Sequence, residues 1–249
     1  MGGDVMYALN ILSFPSEVAE EAITEILKGA IDNVKKAGGV VVGGHTTKSE
    51  EIVYGLSVTG KVNKNHIMTN DRAKKNNKII LTKKIGTGVY IHELPNNSAD
   101  GNEVIESMAT LNKTAADVMK KYKVSTCTDL TGFGVIGHLS EVAVASDISM
   151  NIYFDKLPLF ERTMEFANNT NGGMLRNIDY FSKYVNYGEN IKKENINILA
   201  DPQTSGGLFI IVDESDSEKL LNELHENGVI AARIIGETIQ KQDKYINIL

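Results

Sequence analysis

The sequence predicts an α+β protein of two domains, a small N-terminal α/β sheet domain followed by a C-terminal α+β domain. Two observations carry this prediction. Short apolar runs bounded by glycine and proline alternate with amphipathic helical stretches, and a polar, asparagine-containing stretch over residues 61–78 interrupts the pattern. We place the boundary inside that stretch, which gives domains 1–70 and 71–249. A chain of 249 residues is long enough for two such domains.

The N-terminal domain is predicted to run strand, helix, strand, strand. Residues 7–13 are apolar and predict a buried strand, and Ser16 could cap the amphipathic helix that follows. Residues 40–42 predict the second strand and residues 52–62 the third. This is the second half of an α+β unit, and so small a sheet has an exposed edge that needs a partner.

The second strand leads into Gly43-Gly44-His45-Thr46-Thr47. Paired glycines before a histidine and a threonine could expose backbone amides and a hydroxyl to a phosphate. They could equally form a β-bulge or a turn. Gly44, His45 and Thr46 are therefore candidate ligand-binding residues, and the residue types alone leave both interpretations open.

The C-terminal domain is predicted to mix strands and helices without an internal repeat. Strand predictions cover residues 78–83, 149–154, 208–212, 231–239 and 245–248, and helix predictions cover 103–122, 161–169 and 217–227. We interpret residues 171–177 as a loop that could carry an exposed Arg176. Gly86-Thr87-Gly88 is a weak nucleotide signal, because the full spaced glycine pattern of a dinucleotide fold is missing.

Residues 125–139 form the most informative stretch, since they predict a strand, a tight turn and a helix in succession. Asp129 ends the strand, and glycines that permit close approach of a ligand follow it. A carboxylate in that position is well placed to hold a metal ion bound to phosphate. It could equally cap the helix that follows.

Charge and composition exclude several classes of protein. A net charge of −6 argues against nonspecific binding to nucleic acid or to an anionic membrane. No apolar run approaches the length needed to span a bilayer. The single cysteine, Cys127, excludes an intramolecular disulfide framework and a cysteine cluster for zinc. We therefore predict a cytoplasmic protein, and we interpret Cys127 as a small buried hydrophobe.

Several motifs occur in order along the chain: Met1-Gly2-Gly3, Ala8-Leu9-Asn10-Ile11-Leu12, Gly43-Gly44-His45-Thr46, Leu81-Thr82-Lys83, Gly86-Thr87-Gly88, Thr128-Asp129-Leu130-Thr131-Gly132-Phe133-Gly134 and Asp201-Pro202-Gln203-Thr204-Ser205-Gly206-Gly207. Together they resemble the selenophosphate synthetases (selenide, water dikinases) of the aminoimidazole ribonucleotide synthetase-like superfamily. The match covers essentially the whole chain. Its Gly-Gly-His-Thr and Asp-Pro-Gln-Thr-Ser-Gly-Gly segments are specific within that superfamily.

The resemblance implies ATP- and magnesium-dependent formation of selenophosphate from selenide, with release of AMP and phosphate. It implies that Asp129 binds Mg²⁺ and that Gly44, His45 and Thr46 contact ATP across a dimer. It also implies a homodimer in which the N-terminal domains pair their sheets, which would cover the exposed edge.

One departure from the family pattern limits this expectation. Before its Met-Gly-Gly, the family carries a glycine-rich segment with the reactive cysteine or selenocysteine, a lysine and further magnesium-binding aspartates. No catalytic residue is therefore assigned here, and we expect this truncated chain alone to be inactive. The alternatives are a non-catalytic remnant or dimerisation partner, and another kinase or synthetase of the superfamily.

Overall fold

The computed structural model describes residues 2–94 and 100–249, which form two compact units, Gly2–Ile67 and Met68–Leu249. The N-terminal unit contains β1 (Asp4–Phe14), α1 (Glu20–Lys36), β2 (Val40–Lys48) and β3 (Val53–Lys61). Its sheet has the order β2-β1-β3, with β1 parallel to β2 and antiparallel to β3. Helix α1 contacts β1 and β2.

The start of α1 differs from the prediction. The helix begins at Glu20 and its N-cap is Ala19, which provides no side-chain hydrogen bond. Ser16 is not the cap, because it lies in a turn after Pro15, whose carbonyl accepts the amide of Val18 at 3.2 Å.

The central strand β1 alternates between buried and exposed apolar residues. Ala8 and Leu12 are 0% and 2% exposed, whereas Tyr7, Leu9 and Ile11 are 37%, 41% and 53% exposed. Since successive strand residues point to opposite faces, one face is packed and the other presents apolar side chains. Exposed apolar residues on the same face of the neighbouring strands add to the patch: Val40, Val42 and Val53. A contiguous patch of this kind is typical of an interaction surface.

The described residues of the C-terminal unit form one mixed sheet of seven strands in the order β5-β8-β4-β9-β6-β10-β7. The strands are β4 (Asn77–Leu81), β5 (Val124–Asp129), β6 (Ser149–Ile152), β7 (Val185–Tyr187), β8 (Leu208–Asp213), β9 (Arg233–Ile239) and β10 (Ile246–Ile248). Strand β10 runs parallel to both its neighbours, and the other paired strands are antiparallel.

Helices cover both faces of this sheet. They are α2 (Thr87–Glu93), α3 (Asn102–Ala109), α4 (Lys113–Met119), α5 (Gly134–Ser146), α6 (Thr163–Phe166), α7 (Gly172–Phe181), α8 (Lys193–Ala200) and α9 (Glu214–Glu226). Alternate residues of β4 enter different apolar cores, Ile79 and Leu81 one and Ile80 the other. None of the helices in the described ranges combines the length and the apolar character that crossing a membrane requires.

Two predicted elements of this unit are wrong. Residues 103–122 form two helices, α3 and α4, because Thr110 is extended and the carbonyls of Ser107 and Thr110 turn to the Lys83 ammonium. Residues 171–177 are not a loop, since Asn171 caps α7 through the amide of Met174 at 2.8 Å. The two glycines that open α7 have low helix propensity and hide the helix from a sequence pattern.

Candidate functional site

Asp129 is the last residue of β5 and is half-buried, opposite Leu208 of β8. Within residues 2–94 and 100–249, its carboxylate forms neither a hydrogen bond nor an ion pair. Helix α5 begins five residues later with Phe133 as N-cap and without a side-chain cap. The capping interpretation of Asp129 is therefore wrong, and its carboxylate oxygens are available as ligands.

The turn after Asp129 is held by a histidine that the sequence analysis did not single out. The Nε2 atom of His138 accepts the backbone amide of Thr131 at 3.1 Å and lies 3.2 Å from its hydroxyl. His138 is on the second turn of α5, and its side chain is buried. Burial lowers the pKa of the imidazole, against the opposing charges of Glu141 and Asp129.

The loop 201–207 supplies the side chains that cap α2. Gln203 Oε1 accepts the amides of Gly86 and Thr87 at 2.9 and 3.1 Å, and Asp201 Oδ2 accepts those of Gly88 and Val89 at 3.0 and 3.2 Å. The amides of Gly86, Thr87 and Gly88 are thus hydrogen-bonded to side chains of this loop. The motif that gave a weak nucleotide signal therefore has a structural role at the start of α2.

Asp201 is a buried acid within this arrangement, with 0% of its surface exposed. Burial raises the pKa of its carboxyl to about 7, although hydrogen bonds from Val89, Gln203 and Gly88 oppose that rise. Its capping role requires acceptor oxygens, which both protonation states retain.

Lys83 also forms a hydrogen bond to the loop 201–207. Its ammonium donates to the carbonyls of Ser107, Thr110 and Ser205 at 2.9, 2.6 and 2.9 Å. Burial lowers the pKa of this lysine to about 8. All three donors of the ammonium are engaged, so Lys83 acts as a structural cross-link and offers no free donor to a ligand.

Backbone hydrogen bonds join the loop 201–207 directly to the segment that follows Asp129. The amide of Gln203 donates to the carbonyl of Thr131, and the amide of Leu130 donates to that of Gly207, each at 2.9 Å. The position of Asp129 therefore depends on residues more than seventy positions along the chain.

Gly44, His45 and Thr46 are consecutive exposed residues of β2 in the N-terminal unit. They pair in parallel with Asn10, Ile11 and Leu12 of β1, just beyond a register shift opposite Ala8 and Leu9. The bulge interpretation is thus correct, and the strand continues through the glycines. A Cβ atom on Gly44 would lie 2.3 Å from the carbonyl oxygen of Asn10, so this position requires glycine.

The described residues contain no group of three or more histidine, cysteine, aspartate or glutamate side chains placed to hold a metal ion. A single carboxylate fits Mg²⁺ as one ligand, because this ion keeps several waters and takes further oxygens from phosphates. Cys127 is buried, which raises the pKa of its thiol to about 11 and confirms its interpretation as a small hydrophobe.

Residues 1–62 match the family model for the N-terminal domain of AIR synthase related proteins, and residues 74–248 match the C-terminal domain model. The chain is 42% identical to selenide, water dikinase of Clostridioides difficile (strain 630), over 100% of this chain and 73% of that protein. It is 38% identical to selenide, water dikinase of Clostridium botulinum (strain Eklund 17B / Type B), with the same coverage.

Solved structures share the fold at low sequence identity. Hydrogenase maturation protein HypE superposes with a TM-score of 0.74 at 15% identity, over 96% of this chain and 69% of that one. Thiamine monophosphate kinase from Aquifex aeolicus gives 0.69 at 15% identity, over 99% and 74%. The predicted α+β fold is confirmed as AIR synthase-like. With relatives this similar over its full length, the chain belongs to the selenide, water dikinase family.

Proposed function

We propose that this chain binds ATP and Mg²⁺ and takes part in phosphoryl transfer from ATP to selenide, which yields selenophosphate, AMP and phosphate. Membership of the selenide, water dikinase family supports the reaction, and the carboxylate of Asp129, which has no bonded partner among the described residues, supports a dependence of the reaction on magnesium. Mg²⁺, when bound, neutralises negative charge on the phosphate oxygens. Asp129 would supply one oxygen to the ion, and water and phosphate the others.

Gly44, His45 and Thr46 are proposed to contact ATP. They lie on β2, which is an edge strand of its sheet, and an edge strand presents backbone amides without strand partners. Those amides, the threonine hydroxyl and the imidazole are donors suited to phosphate oxygens. The glycine lets the strand pass close to Asn10 at this point.

Calorimetry of Mg·ATP binding, followed by an assay of AMP release with and without selenide, tests the proposal. We expect binding by the chain, and about tenfold weaker binding by His45→Ala, since one hydrogen bond to a charged group is lost. His66→Ala, in the exposed 3₁₀ turn of the same unit, is the control and should bind like wild type. Absence of ATP binding would contradict the proposal. AMP release that depends on selenide would overturn the expectation that the chain alone is inactive, and AMP release that ignores selenide would exclude selenide as the acceptor.

We also propose that the chain forms a homodimer through the exposed apolar face of the N-terminal sheet, centred on Ile11. Replacing Ile11 by Lys places a charge in the middle of that face, and burying an unpaired ammonium is unfavourable. Sedimentation velocity should show wild type as a dimer and Ile11→Lys as a monomer. Ile31→Lys, on the exposed side of α1, should leave the dimer intact. If Ile11→Lys were still a dimer, the proposed interface would be contradicted.

The cytoplasmic location of the protein stays a prediction.

A further inference from the structure

His138 is a buried titratable side chain for which the proposed function has no role. Its Nε2 atom receives the backbone N–H of Thr131 at 3.1 Å. A backbone amide can only donate, so Nε2 must carry a lone pair. The single proton of the neutral ring therefore sits on Nδ1, which is the tautomer that this contact selects.

The surroundings of the ring favour that neutral form. His138 is 7% exposed, and the ring of Phe133 lies against it with centroids 5.5 Å apart. The negative charges of Glu141 on α5 and Asp129 at the end of β5 favour the protonated ring, but burial outweighs them and lowers the pKa of His138. Nδ1 is buried without a hydrogen-bond partner among the described residues, and the carboxylate of Glu141 is 3.6 Å away. Glu141 is thus placed to orient the Nδ1 proton without closing a full hydrogen bond.

The contact acts on the segment that carries Asp129. Between Asp129 and α5, the carbonyl of Thr131 accepts from Gln203, and the carbonyl of Gly132 accepts from Asn177 at 2.9 Å. The amide of Thr131 is bonded instead to His138, two residues beyond the carboxylate. Without that bond the turn keeps its other anchors, so the fold survives, but Asp129 is less firmly oriented.

We propose that His138 is a positioning residue whose neutral imidazole, by accepting the Thr131 amide at Nε2, holds Asp129 in the orientation that binds a divalent cation. This inference rests on the proposed role of Asp129 in metal binding. Protonation of Nε2 would replace an acceptor by a donor facing the Thr131 amide, which breaks the contact. Cation binding should then weaken in acid for a reason separate from the protonation of ATP.

The test compares His138→Leu, which removes the acceptor, with His138→Gln, whose amide oxygen can replace Nε2 but does not titrate. Binding of Mn²⁺ in the presence of ATP is followed by electron paramagnetic resonance. We expect about tenfold weaker binding for His138→Leu, the equivalent of one hydrogen bond, and near wild-type binding for His138→Gln. Because burial lowers the pKa of His138, lowering the pH well below 6.5, the ordinary pKa of histidine, should weaken binding by wild type more than by His138→Gln.

His225→Leu is the matched control, because it removes a comparable histidine contact, from Nε2 to the Ala232 carbonyl at 2.9 Å, in another part of the unit. It should lower the melting temperature without changing Mn²⁺ affinity. The inference is overturned if His138→Gln and wild type share one pH profile, or if ¹⁵N NMR finds the proton of the neutral ring on Nε2. Unchanged binding by Asp129→Asn would instead overturn the proposed metal site.

Discussion

Replacing Asp129 by Asn is expected to weaken binding of Mg·ATP by about 100-fold. Loss of residues that merely support a metal ligand already costs ~10–100-fold in affinity, so loss of the ligand itself should reach the upper end. Asparagine has almost the same shape, and the carboxylate makes no hydrogen bond within the described part of the chain. The folded structure should therefore be unaffected, and the free energy of unfolding should match that of wild type.

Asp147→Asn provides the control for this experiment. Asp147 lies at the other end of α5 with φ of 51°, a conformation that asparagine also adopts readily. This variant removes the same charge from the chain and should bind Mg·ATP like wild type. If calorimetry gives Asp129→Asn and Asp147→Asn the same affinity, the effect is one of net charge and Asp129 is not a ligand.

Gly206→Ala is expected to destabilise the protein by about 1–3 kcal/mol, the usual range for a side chain forced into a packed site. A Cβ atom at Gly206 would lie 2.3 Å from the carbonyl oxygen of Leu130 and 3.2 Å from its Cβ. The carbonyl oxygen and the Cβ atom of Leu130 cannot move freely, because Leu130 is buried and its amide is bonded to the carbonyl of Gly207. The segment next to Asp129 must shift, so Mg·ATP binding should weaken as well. Chemical denaturation and calorimetry measure the two effects.

Gly132→Ala separates steric conflict from a general loss of glycine. Gly132 lies in the turn after Asp129, and a Cβ atom there would meet nothing within 4 Å. The free energy of unfolding of the Gly132→Ala variant should remain close to that of wild type. Equal destabilisation by both alanine substitutions would contradict the close approach of Gly206 to Leu130.

Local pattern was sufficient to predict most of the strands and the amphipathic helices α1 and α9, because their apolar periodicity is strong, whereas the three-residue strand β7 was not predicted. Strand β4 and helix α9 lie within a few residues of their predicted ends. The predictions failed where a distant residue decides local structure. The Lys83 ammonium bonds to the carbonyls of Ser107 and Thr110, where the predicted helix over residues 103–122 is interrupted. A pattern of neighbouring residues cannot predict this contact, because Lys83 lies outside that segment.

In the candidate site, too, the features set by neighbouring residues could be predicted and those set by distant residues could not. Asp129 could be found from sequence because the strand, the carboxylate and the glycines are contiguous. The partners that fix its surroundings were missed, since Gln203 reaches the Thr131 carbonyl from more than seventy residues away. His138 is close in sequence, and its position one turn into an apolar helix was the available signal.

The central claim is that the Asp129 carboxylate binds the metal ion of a bound Mg·ATP complex. Crystals grown with Mn²⁺ and a non-hydrolysable ATP analogue allow a direct measurement, because the anomalous scattering of manganese locates the ion. We predict an anomalous peak about 2.1 Å from a carboxylate oxygen of Asp129, the usual length of the bond from oxygen to the Mg²⁺ ion that Mn²⁺ replaces. A bound nucleotide whose metal peak lies beyond the reach of Asp129 would contradict it.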